Sequence, residues 1–342
     1  MKWTIVHGIE SVDIKEWEQF TSMHHNGNFF QTPQFYQYIK KVDGYKPVII
    51  AALDDKNEIA GILTGVLQKD TGYVKGIFSS RLIVWGAPLV KNDDKSVIDQ
   101  LLKELVKKYQ HKSIFIEFRN LFSIAEERNV FEKNGFEYKE HLNFIVDTRD
   151  EKTLLSAMND GKKRQIKKSL NNGAVILENV TEQQVKVFYG ILLDLYNTKV
   201  RKPLPAWSFF KEFYDSPHLG KYFLIAYKDE IVGGIMCPVF GNKTIYEWYI
   251  AGKDGVDKNI YPSVLATWAP MAYALKNGIS SFDFLGAGKP EEDYGVRQFK
   301  AGFGGEQVAY GRYLRINNPL LYKIGKSGLA FLKRMKRVSV KQ

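Results

Sequence analysis

A chain of 342 residues, 44% hydrophobic and 14% aromatic, is long and apolar enough for two ordinary packed domains. Its 49 Lys and Arg against 38 Asp and Glu leave a net charge of +11, which suits polyanionic partners: nucleic acid, phosphorylated substrates or an anionic membrane face. No run approaches eighteen apolar residues, the single Cys237 excludes an internal disulfide or a thiolate cluster, and the six histidines lack ligand spacing, so neither a metal site nor a cofactor is expected.

In chain order, the N-terminus lacks the apolar centre and cleavage site of a signal peptide, and a cytoplasmic location is the expectation. "FFQTPQFYQYIKK" (29–41) ends in the paired cations Lys40 and Lys41. "PVIIAAL" (47–53) is short, β-branched and bounded by turn residues, hence a strand that a D-K-N-E turn links to the next as an antiparallel hairpin. Between 95 and 109, Val97, Ile98, Leu101, Leu102, Leu105 and Val106 recur at helical spacing. "SIFIEF" (113–118) reads as another strand, and the polar stretch 147–155 as a domain boundary.

The segment 151–173 reads as one helix stopped at Asn171-Asn172-Gly173. Its stretch 161–173 carries Lys162, Lys163, Arg164, Lys167 and Lys168 and no acid, a block suited to a polyanion. "KYFLIAY" (221–227) is again a strand, Cys237 lies in an apolar run as a buried thiol, and 263–278 is a helix closed by Gly278. In "TIYEWYIAG", Tyr246 and Trp248 alternate onto one strand face, with Tyr249 opposite; sheet core is the commoner fate of such rings and a substrate wall the other. "YGVRQFKAGFGGE" (294–306) packs Arg297, Phe299, Lys300 and several glycines together. The last 23 residues hold seven cations and no acid. There Ile324, Phe331, Met335 and Val338 form one side of a helix whose first turns dock on protein and whose end, 333–342, is free to touch lipid.

The chain also repeats itself. "NEIAGILTGVL" matches "DEIVGGIMCPV" (Gly61 with Gly233), "LIVWGAPL" matches "WYIAGKDG" (Gly86 with Gly252), and "SIFIEFRN" matches "SSFDFLGA" (Phe118 with Phe284). Finally "EKNGFE" matches "FKAGFG", setting Lys133 against Lys300. Four matches in one order at nearly one offset imply two copies of one α/β unit.

Strand-turn-strand, helix, strand, then K-x-G-F resembles the acyltransferase fold called GNAT. Two such units with "FFQTPQFYQYIKK", "KKRQIKKSLNNGAVI" and "FDFLGAG…YGVRQFKAGFGGE" resemble the FemABX family across most of residues 25–315. The resemblance implies an α/β (α+β) fold of two tandem GNAT-like domains, each a mixed, mostly antiparallel sheet flanked by helices. The expected limits are 1–150 and 151–315, with 316–342 a basic helix returning to the first domain. It further implies transfer of an amino acid from aminoacyl-tRNA to an amine of a nucleotide- or lipid-linked peptidoglycan precursor, by a monomer in the cytoplasm or at the inner face of the membrane. By the family pattern, Lys300 stabilises the reacting carbonyl's developing charge with Phe299 packing it, and Lys40 or Lys41 and then Arg201 and Lys202 contact acceptor phosphates. Asp283 in "FDFLG" either orients the attacking amine or holds its turn. Arg297, Tyr246, Trp248 and Tyr249 complete the substrate residues. Two alternatives stay open: an acyl-CoA-dependent N-acyltransferase on cell-envelope sugars, which lacks the Q/R-x-x-G-x-G/A phosphate loop here, and a non-catalytic polyanion-binding module.

Overall fold

The computed structural model describes residues 3–69, 80–292 and 295–325. The chain divides into two compact units, 1–140 with 310–342, and 141–309.

In the first unit, β1 (Thr4–His7), α1 (Ile14–Met23) and α2 (Pro33–Lys40) lead into the hairpin β2 (Tyr45–Leu53) and β3 (Ile59–Gln68). Then follow β4 (Arg81–Trp85), β5 (Leu89–Val90), α3 (Lys95–Tyr109), β6 (Phe115–Arg119), α4 (Arg128–Lys133) and β7 (Glu137–Lys139). The "FFQTPQF" stretch is structural. Buried Gln31 donates to Thr64 O and Trp85 O and accepts from Thr64 N, while Thr32 caps α2 through Phe35 N. α3 buries Val97, Ile98, Leu101, Leu102 and Leu105 on its sheet-facing side, as the spacing requires.

In the second unit come β8 (Asn143–Asp147), α5 (Glu151–Ala157), α6 (Asp160–Asn171), β9 (Val175–Leu177), α7 (Glu182–Leu195) and α8 (Trp207–Tyr214). They are followed by β10 (Gly220–Tyr227), β11 (Glu230–Phe240), β12 (Thr244–Tyr246), β13 (Tyr249–Gly252), α9 (Pro262–Asn277), β14 (Ser281–Asp283), α10 (Gly295–Ala301) and β15 (Glu306–Val308). β16 (Arg312–Ile316) closes the described strands. The single helix expected over 151–173 is two. The break falls at Met158-Asn159, where the Asn159 side chain caps Lys162 N and starts α6 afresh. Lys228 and Asp229, both at positive φ, turn β10 into β11, the two-residue hairpin conformation that matches strand twist.

The two sheets share one wiring. The first runs β1-β2-β3-β4-β6-β16-β7 with β5 on β3; the second runs β9-β10-β11-β12-β14-β8-β15 with β13 on β11. β4 with β6, and β12 with β14, are the parallel pairs. The strand in the slot beside β6 is β16, which follows the second repeat. Its equivalent beside β14 is β8, which precedes that repeat. Each sheet is thus finished by a strand from the other repeat's stretch of sequence. This moves the division from the expected 150 and 315 to 140/141 and 309/310, because β8 and β16 are assigned by the sheet they join and not by their neighbours in sequence. After β16, a helix over 319–325 starts at Asn318, whose side chain accepts from Leu321 N, and Tyr322 meets Phe115 edge-on at 5.6 Å. Phe331, Met335, Val338 and the lipid-facing end expected for 333–342 lie outside the described residues.

Candidate active site

The parallel pair β12/β14 is short. Its register runs from Thr244 with Ser281 to Tyr246 with Asp283. Glu247 N then donates to Asp283 O at 2.9 Å, and the strands part. β13 stays with β11, whereas the chain after Asp283 leaves along β8. Four polar side chains meet at this fork.

Lys300, on α10, is 8% exposed. Its ammonium donates to Phe284 O at 2.9 Å and Gly286 O at 2.8 Å, and pairs with Glu247 Oε1 at 2.8 Å. An ammonium has three protons, and all three are committed. In this structure the Lys300 ammonium clasps residues 284–286, and its expected part at the reacting carbonyl stays a proposal. Leu285 in that loop has φ 54, a left-handed conformation costly for a branched side chain. Two bonds from Lys300 to its flanking carbonyls hold it there.

Asp283 is equally enclosed. Its Oδ1 accepts from Asn143 Nδ2 at 2.7 Å and Leu285 N at 2.6 Å, and Asn143 Oδ1 accepts from Gly286 N at 2.7 Å. Burial pushes the Asp283 carboxyl up to about 6, against the pull of these donors and of Lys300. Burial likewise pushes the Glu247 carboxyl up, with Lys300 drawing it back, and Glu247 Oε2 is buried with no partner. Both carboxyls therefore hold a proton more tightly than exposed carboxyls do.

Arg297 braces the same loop. Its guanidinium donates to Ala287 O at 3.1 Å, Pro290 O at 3.2 Å and Lys289 O, which anchors the loop. The glycines after Lys300 allow close backbone packing. At Gly304 and Gly305, both at positive φ, a Cβ would stand 2.8 Å from the Ala157 backbone and 2.6 Å from Ile145 O. Phe299 carries the Lys162 ammonium 3.7 Å from its ring centroid, with Phe303 at 5.1 Å.

Of the aromatic set, Tyr246 is 3% exposed at the fork, while Trp248 and Tyr249 pack against Phe209 and Phe210 of α8. The expected alternation fails because Ile245, Tyr246 and Glu247 are all buried in succession where the strand leaves β14. Arg201 (φ 53) and Lys202 follow the turn Tyr196–Val200, whose Tyr196 ring lies 6.4 Å from Tyr249. Lys40 and Lys41 are exposed at the end of α2, in the first unit, apart from the cluster's own unit. Lys163 is paired with Asp160 at 2.8 Å, and Arg164, Lys167 and Lys168 are exposed or nearly so on α6.

Glu247 and Asn143 went unread in the sequence. In the first unit Gly86 N donates to Arg119 O at 2.8 Å where β4 leaves β6, the same closing bond that Glu247 makes. Gly86 thus corresponds to Glu247 and not to Gly252, and a glycine in one repeat concealed an acid in the other. Asn143 was hidden by its place on β8, before the expected boundary. Lys133, the counterpart of Lys300, is exposed and 3.5 Å from Asp99, and the charges beside the first fork are a different set, Glu117 with Arg119 and Arg312. Among the described residues, His24, His25 and Asp93 form a group of possible metal ligands, but His24 already uses both ring nitrogens, with Val90 O and Asn26 N.

The family model that matches, described as the FemAB family, covers residues 227–327, from the end of β10 through the cluster. No curated protein matches the sequence. The crystal structure of FemX aligns with a TM-score of 0.70 at 15% identity, over 94% of this chain and 99% of that one. The structure of L-PGS from Bacillus licheniformis gives 0.56 at 12% identity over 92% and 96%. A tandem GNAT protein from the clavulanic acid biosynthesis pathway gives 0.56 at 9% over 93% and 99%. At such identities the likeness speaks to the fold, a pair of GNAT-like units.

Proposed function

We propose, from the premise that the chain is a FemABX-family acyltransferase built of two GNAT-like units, that it transfers an amino acid from aminoacyl-tRNA to an amine of a peptidoglycan precursor peptide at the fork of the second unit. The observation that carries this reading is the buried Glu247–Lys300–Asp283 group inside the family-matched region, completed by Asn143 of β8 outside it. In the first unit Gly86 stands where Glu247 stands here, and the counterpart of Lys300, Lys133, is exposed.

In this reading the acceptor amine attacks the donor's ester carbonyl, the C–N bond forms as the C–O bond to the ribose breaks, and the amine's proton must leave. In this reading Asp283 takes it and the departing ribose oxygen receives it in turn. One of its oxygens is fixed by two N–H donors, and a carboxyl raised to about 6 is ionised at neutral pH yet more basic than an exposed aspartate. Lys300 and Glu247 hold the 284–286 backbone in its strained form, and Arg297 fixes 287–290, so the site's shape is set before substrate arrives. The cations Lys40, Lys41, Arg201 and Lys202 remain proposed contacts for acceptor phosphates, and the exposed cations of α6 for the donor's backbone.

The test is reconstitution. Purified protein is incubated with charged total tRNA and nucleotide-linked muropeptide, or with acetyl-CoA and the same acceptor, and products are read by mass spectrometry. A mass gain of one amino-acid residue that requires tRNA supports the proposal; an acetyl gain that does not require it replaces it with the acyl-CoA alternative.

A further inference from the structure

Lys300 and Arg297 are both committed to backbone carbonyls, which leaves open which cation near the F-K-x-G-F motif is available to an anion. Lys162 stands out. It shares a face of α6 with Ile166 and Ser169, at spacings of four and three, and those two residues are buried. An inward position on a helix ordinarily takes an apolar side chain, since a cation there loses hydration. Here the lysine stem crosses Gly302, where a Cβ would stand 3.0 Å from Lys162 Cε and 3.3 Å from Cγ. The ammonium comes to rest on Phe299 and Phe303.

Those rings offer cation–π attraction but no counter-charge. The charged residues nearest in sequence on its own helix are Asp160, Lys163 and Arg164, and α10 carries Arg297 and Lys300. Asp160 is paired with Lys163, and among the described residues no carboxylate pairs with Lys162.

We propose that Lys162 is the cation that receives a phosphate group of the acyl donor beside the Phe299–Phe303 pair. The inference rests on the acyl-transfer reading and assigns its donor subsite. Phosphate is the chemistry shared by the 3′ end of tRNA and by coenzyme A, and the experiment separates the two. Burial lowers the ammonium to about 8, so an incoming phosphate supplies a partner that the described residues do not.

Full-length protein and the variants Lys162→Met and Lys162→Arg are titrated calorimetrically with a 5′-phosphorylated CCA trinucleotide, with coenzyme A and with inorganic phosphate. Binding of the trinucleotide is expected to weaken about 10-fold or more in Lys162→Met and to lose roughly one unit of salt slope. Lys162→Arg should bind within about 3-fold of the parent and, unlike it, keep its affinity from pH 7 to 9.5. The melting temperature of Lys162→Met should be unchanged or higher, since removing an unpaired, dehydrated cation relieves the fold. Tighter binding of coenzyme A, still dependent on Lys162, supports the subsite and overturns the tRNA donor. Equal trinucleotide binding by the parent and Lys162→Met overturns the subsite and leaves the transferase reading standing. Loss of binding in Lys162→Arg together with a lowered melting temperature in both variants also overturns it, because the lysine is then structural. No phosphate probe bound by the parent overturns both.

Discussion

At Lys300 the structure reverses what the motif alone suggests about stability. Removing a buried ammonium leaves Glu247 as an uncompensated buried charge, which costs about 3–5 kcal/mol. Lys300→Met should therefore lower both activity and the denaturant midpoint, while Lys133→Met, losing only an exposed pair, should shift stability by at most about 1 kcal/mol. Chemical unfolding of both variants checks this, and a double-mutant cycle with Glu247→Leu should be strongly non-additive because the second change removes the stranded charge. Asp283 gives a pH signature. Its folded carboxyl is raised from 3.8 to about 6, so the folded state binds the proton more tightly than the unfolded chain does. Its contribution to stability is present below about 3.8 and lost as pH rises to about 6. Asp283→Asn should abolish that fall, melt at or above the parent at pH 7.5, and lower transfer by ~10²-fold or more. A parent melting curve flat between pH 4 and 6.5 that Asp283→Asn leaves unchanged would remove the assignment.

At the scale of elements, α6 is the clearest test of charge. Changing Lys163, Arg164, Lys167 and Lys168 to Gln should flatten the salt dependence of tRNA binding, since fewer counterions are displaced. Unaltered salt slopes in filter binding would place the nucleic-acid surface elsewhere. The helices and hairpins were legible because their cores follow period: α3 at three-four spacing and the β2/β3 and β10/β11 strands between turn residues. Two elements were not. The break between α5 and α6 depends on one side chain, Asn159, choosing to cap rather than continue. The fork depends on β12 and β14 parting after three pairs, an event of tertiary pairing that leaves no periodic trace and buries Ile245, Tyr246 and Glu247 in a row. The motif around Lys300 was legible, but not the carbonyls that receive its protons, because sequence shows a lysine and not what surrounds it.

At the scale of the whole molecule, the repeat was visible and the exchange of strands was not, since β8 and β16 carry no mark of which sheet they enter. The exchange makes a truncation informative. A chain ending at 309 retains every strand of the second sheet but lacks β16, so β6 and β7 lose the partner between them. Hydrogen exchange should then show weakened protection across β6 and β7 with β10–β14 still protected; uniform loss in both sheets would mean the units do not fold separately. The same wiring sets an order of events during synthesis. The second sheet has all its strands once residue 308 has emerged, whereas the first must wait for 312–316. On the ribosome the unit begun first is therefore completed last, and through most of translation it presents an unfilled slot with two bare backbone edges, the kind of surface that nascent-chain chaperones must shield.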